Sequence, residues 1–174
     1  MTQDNKPKTG AEAAMWLAET IREFCLTSLE NSMHNGKDER ALDEPLVGFS
    51  NGNDPLYEFL KNDIGTPFMM PVEIFERSFP GRKVRAEELT VISWILPKTR
   101  LTKKTRLTKN DNRKETTLPS ERWARAKHYG GAFLKQLMAH VTGTLDKAGV
   151  LSIAPSLAPF WTVGVSERYG LASN

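Results

Sequence analysis

The sequence predicts an α/β fold of α+β layers, a small mixed sheet packed by long helices. Two stretches carry this expectation. Residues 120–149 repeat apolar groups at Trp123, Ala126, Gly130, Phe133, Leu137, Val141, Leu145 and Ala148, with the three- and four-residue spacing of one helical face. Residues 89–96 hold Val91, Ile92, Trp94, Ile95 and Leu96 almost without interruption, the pattern of a strand buried on both faces. The whole order reads helix, strand, helix, helix, strand, long helix, strand.

The elements follow from local chemistry. Thr9 and Glu12 have the spacing of a capping box. Ala14, Leu17, Ile21, Phe24, Cys25, Leu29 and Met33 then extend an amphipathic helix to residue 33. Residues 34–44 are polar and contain Asn35 and Gly36, so they form a loop. Residues 46–49 are a short apolar strand, and 50–53 a turn. Pro55 opens a short helix to residue 62 that faces inward through Leu56, Phe59 and Leu60 and stops at Gly65 and Pro67. Pro71 opens another over 72–79, stopped by Pro80 and Gly81.

Pro97 ends the strand at 89–96 and begins a long polar loop over 98–119. That loop repeats itself: Thr99 to Lys103 and Thr105 to Lys109 share a pattern, a local duplication too short for a solenoid. Pro119 and Ser120 suit the entry of the long helix, and Gly149 its exit. At 1.5 Å per residue that helix is roughly 43 Å long. Gly130 and Gly131 within it each cost about 1 kcal/mol relative to Ala, so a kink or a close approach is expected there. Residues 150–154 form a third strand. Pro155 and Pro159 break the pattern, and residues 160–174 show no element.

Four Trp and 39% apolar residues suffice for a core, and 174 residues suggest a single domain. No run of about 18 apolar residues exists, and residues 1–8 lack a signal-peptide core, so a cytoplasmic protein is expected. Cys25 is the single cysteine and sits among apolar neighbours. It reads as a small buried hydrophobe, and no internal disulfide can form. The net charge of +3 hides an asymmetry: eight cations against Asp111 and Glu115 give 98–115 a charge of +6, which leaves −3 for the rest.

The glycines at Gly48 and Gly52 do not make a phosphate loop. His128 and His140 are twelve residues apart on one helix, some 18 Å, and cannot share a metal. Glu87 and Glu88 are adjacent and point different ways, which suits no acid/base pair. The basic segment admits two readings. It could track the phosphate backbone of RNA, tRNA included, through Lys98, Arg100, Lys103, Lys104 and Arg106. It could equally be a solvated insertion.

Four stretches carry a resemblance: Val91 to Pro97, Glu121 to Ala124, Lys127 to Gly130, and Ser166 to Asn174. In this order and spacing they resemble the N-terminal half of the epoxyqueuosine reductase-like 4Fe-4S iron–sulfur proteins, relatives of reductive dehalogenases. The resemblance implies a nitroreductase-like, corrinoid-binding half-domain followed by a ferredoxin-like domain with two four-cysteine clusters. It implies cobalamin as cofactor, with Arg122 and Tyr129 approaching it. The family's catalytic Asp falls on Ser152, whose hydroxyl is far too weak an acid to replace a carboxyl group. The cluster cysteines are missing. The expectation is therefore a truncated cofactor-binding scaffold of an oxidoreductase, inactive alone, whose partner is the absent ferredoxin-like domain.

Overall fold

The computed structural model describes residues 10–105 and 119–173. It is a fold of the α+β class. Helix α1 spans Gly10–Thr27, β1 Leu46–Asn51, α2 Pro55–Ile64, α3 Pro71–Ser78 and β2 Thr90–Ile95. Helix α4 follows at Arg100–Lys104, then α5 at Glu121–Lys147, β3 at Val163–Ser166 and β4 at Gly170–Ser173. The strands pair as two separate two-stranded sheets, β1 with β2 and β3 with β4, where the sequence suggests one mixed sheet. An isolated antiparallel bridge joins Leu42 to Lys98, and the Gly52 N–H donates to the Leu89 carbonyl at 2.8 Å. The chain divides into two compact units, Met1–Val47 with Trp94–Thr144, and Gly48–Ser93 with Leu145–Asn174.

The first unit is built on α1 and α5. Leu17, Ile21 and Cys25, four residues apart, form the buried stripe of α1. Ala126, Phe133, Leu137 and Val141 form that of α5. Phe24 joins the two helices, its ring stacked on Phe133 at 5.7 Å and on His140 at 4.1 Å. Burial pushes the Cys25 thiol up to about 11, the state of an inert core group. Beyond α1 the chain travels back along α5, where Arg125 donates to the carbonyls of Met33 and His34.

Helix α1 ends at Thr27, not at Met33 as the apolar spacing suggests. Asn31 explains the difference. It is 2% exposed, and its side-chain amide donates to the Cys25 carbonyl at 2.7 Å. That carbonyl would otherwise accept the N–H of Leu29 in a continuing helix. The same side chain holds Leu42 at both backbone groups: it donates to the Leu42 carbonyl and accepts from the Leu42 N–H, each at 3.0 Å. Leu42 in turn lies against Gly130, where an added Cβ would come within 3.2 Å of its side chain. The two glycines therefore leave α5 unbroken and serve different ends. Gly130 admits Leu42, whereas Gly131 faces open space.

Ser120 caps α5: its hydroxyl accepts the Trp123 N–H at 3.2 Å. Gly149 closes the helix at φ 74°. Its N–H donates to Asp146 at 2.8 Å and that of Val150 to Leu145 at 2.9 Å, the paired bonds of a Schellman end. Thr9 of the expected capping box lies outside the described residues.

In the second unit Asp54 caps α2 by accepting the Leu56 N–H at 2.9 Å. Glu73 holds the start of α3 by accepting the Met70 N–H at 2.7 Å. Lys61 links the two helices through the Phe68 carbonyl and the Glu73 carboxylate. Gly52 is obligatory, because a Cβ there would lie 2.6 Å from the Ala86 carbonyl oxygen.

Three expectations fail here. Leu56 and Phe59, expected on the inner face of α2, are 56% and 61% exposed. Residues 150–154 form no strand: Val150, Leu151 and Ile153 are exposed, and a 3-10 turn begins at Pro155. An apolar run makes a strand only where a neighbour supplies the ladder, and the sequence alone does not reveal whether one does. Conversely, the tail holds a hairpin. Val163 pairs with Ser173 and Ser166 with Gly170, and a three-residue connection leads into Gly170 at φ 74°. Gly164 allows β3 to lie on Pro67, 2.9 Å from where a Cβ would stand. Asp63 anchors the connection, accepting from Arg168 and, at 2.5 Å, from the Tyr169 hydroxyl.

Replacing Asn31→Ala leaves the Cys25 carbonyl and both backbone groups of Leu42 buried without their partner. A loss of about 3 kcal/mol in urea unfolding is expected, and a loss below 0.5 kcal/mol, roughly the scatter of surface substitutions, would remove Asn31 from this role. Gly131→Ala should stabilise by about 0.5–1 kcal/mol. Gly130→Ala should fall short of it in the same measurement, because Leu42 must give way.

Candidate functional site

The basic segment is partly a helix. Thr99 caps α4, its hydroxyl accepting the Thr102 N–H at 3.3 Å and sharing a 2.9 Å hydrogen bond with the Thr102 hydroxyl. Thr102 is fully buried. With that residue turned inward, Arg100, Leu101, Lys103 and Lys104 are exposed on the other side of a single turn. The loop expected over 98–119 is thus helical at 100–104. Arg106 and most of the second repeat lie outside the described residues.

Several cations outside this turn are paired with carboxylates. Arg22 meets Glu19 and Glu44, Lys61 meets Glu73, Lys83 meets Glu76, Arg85 meets Glu87 and Glu88, and Arg125 meets Glu121. Among the described residues, Arg100, Lys103 and Lys104 have no carboxylate partner. Their field is therefore not cancelled by an ion pair with any described residue. Lys98, two residues before α4, places its ammonium 4.4 Å from the centre of the Trp123 ring, a cation–π contact. The bridge between Leu42 and Lys98 fixes the backbone at that point. The free cations and one aromatic face are thus brought together within the first unit.

The residues that the resemblance associates with a corrinoid are occupied otherwise. The Arg122 guanidinium donates to both oxygens of Glu39 at 2.8 Å and approaches the Met33 sulfur at 3.9 Å. The Tyr129 ring packs on His34 at 4.6 Å and meets the edge of His128 at 4.9 Å. Both pin residues 33–39 to α5. Ser152 belongs to the second unit and is half-buried ahead of the turn at Pro155. Among the described residues no cluster of three or more His, Cys, Asp or Glu could hold a metal ion.

The pairing of Lys98 with Trp123 and of Arg122 with Glu39 escaped sequence reasoning. Residues 25 and 83 positions apart, respectively, have no local signal that joins them. The Asn35 and Gly36 turn was the available hint for the second, since it directs Glu39 back toward the helix. Comparison of the chain with protein-family models, with characterised proteins and with solved structures yields no match. No helix among the described residues is long and apolar enough to cross a membrane.

The Arg122 guanidinium, and after it the Asn35 amide, hold the Glu39 carboxyl below the usual carboxylate range. A depressed carboxylate contributes stability that is present above its unfolded-state value and lost as pH falls through the folded one. Thermal unfolding between about pH 7 and about pH 3 should therefore show an acid limb that Glu39→Gln flattens. An unchanged limb in the variant would assign the acid sensitivity to other carboxylates.

Proposed function

We propose that this chain is a polyanion-binding module whose ligand is RNA, engaged through Lys98, Arg100, Lys103 and Lys104. The observation that carries the reading is the clustering of unpaired cations on one turn. Arg100, Lys103 and Lys104, exposed and without a carboxylate partner among the described residues, stand within five residues on one helical turn, whereas others without one, such as Arg40, Lys127 and Lys147, are scattered along the chain. An unpaired surface cation keeps its field available to a phosphate and gains free energy by releasing that phosphate's counterions. The sequence adds weight: the segment 98–115 carries +6 within a chain of net +3. A backbone held by the Thr99 cap and the bridge to Leu42 reduces the ordering that binding must supply.

The corrinoid scaffold implied by the resemblance receives no comparable support, since Arg122 is bound to Glu39 and Tyr129 to His34. It would be revived by a spectral shift of cobalamin titrated with the purified chain at micromolar concentration.

Fluorescence anisotropy of a labelled RNA oligonucleotide, repeated from about 50 to about 200 mM salt, tests the RNA reading. Affinity should fall steeply as salt rises. The double variant Arg100→Glu with Lys103→Glu should weaken binding at every salt concentration and reduce the slope of log K against log salt by about 0.7 per contact removed. Binding that is insensitive to salt and to both substitutions overturns the proposal.

A further inference from the structure

We infer that the surface selects single-stranded over double-stranded RNA, with one unpaired base stacked on the Trp123 ring in the place that Lys98 now holds. The inference rests on the RNA reading above and deepens it.

Its basis is a juxtaposition. Trp123 is half-buried near the start of α5, and the face under Lys98 is covered by a flexible, hydrated ammonium 4.4 Å from the ring centre. Lys98 precedes Arg100 by two residues, so their Cα atoms are at most about 7.6 Å apart. Helix α4 adds about 7.5 Å along its axis. One aromatic face and four cations thus lie within the reach of a few nucleotides, toward the lower end of single-strand site sizes.

Relative strengths favour the exchange. A lysine over a half-buried ring contributes up to about thirtyfold in equilibrium terms, whereas a base stacked on an aromatic side chain contributes up to about 150-fold. A base that displaces the ammonium therefore gains more than the cation–π contact loses. The released Lys98 is then free to meet the adjoining phosphate, so its charge remains in use. A duplex cannot make this exchange, because its base faces are already stacked on one another. Stacking accepts any base, so little sequence preference is expected.

The test uses the full chain with a labelled single-stranded RNA, a single-stranded DNA of the same sequence and the corresponding RNA duplex. The wild type should bind both single strands more tightly than the duplex, and the single strands should quench part of its tryptophan emission. Trp123→Phe keeps a ring, and its binding should stay within about threefold of wild type while that quenching disappears. Trp123→Leu should lose about tenfold on single strands and little on the duplex. Quenching that persists unchanged in Trp123→Phe, or equal affinity for single strands and duplex, overturns the inference. Should Trp123→Leu fail to fold by circular dichroism, the quenching comparison decides alone. If the charge reversals on α4 weaken binding but Trp123 has no effect, stacking is wrong and the RNA reading stands. If the charge reversals have no effect, both fall.

Discussion

The first unit depends on a single buried amide. Asn31 takes the carbonyl that would have continued α1 and grips Leu42 by both backbone groups. A side-chain amide has the same donor and acceptor as a strand neighbour, so Asn31 behaves as a one-residue piece of sheet placed inside a helical layer. The outcome is cumulative. With Leu42 fixed, its side chain fills the notch at Gly130 and its backbone bridges Lys98. Lys98 then stands over Trp123, and Thr99 begins α4 immediately after it. The cation display is thereby connected to the core through four residues.

Much of this was legible, and the reason is physical. Local chemistry decides caps and ends: Asp54, Ser120 and Gly149 each do what their residue types favour at those positions. Period decides α5, since a long face of one spacing has few alternative solutions. The apolar run at 89–96 located β2 but not its burial, for Ile95 is 65% exposed rather than enclosed. What was illegible depends on partners. The strand expected at 150–154 had composition but no neighbour. The hairpin at 163–173 had the neighbour, and its short Val163, Gly164, Val165 alternation was too brief to announce it. The extension of α1 to Met33 followed the apolar spacing correctly but could not include a competing side chain six residues from the carbonyl it takes.

The same division runs through the candidate site. A count of charges shows that 98–115 is basic, and no structure is needed for that. Which cations are free is a three-dimensional question. Arg122 and Arg125 look as available in sequence as Arg100, yet Glu39 and Glu121 occupy them. Pairing thus separates Arg122 and Arg125, which hold the loop at 33–39, from Arg100 on the outside of α4.

Cys25 has a practical corollary. It is the chain's only sulfhydryl, completely enclosed on the inner face of α1, and burial keeps it protonated at neutral pH. An alkylating reagent can reach it only while the helical layer is open. Its rate of modification is therefore a built-in stopwatch for breathing of that layer, one that needs no engineered label.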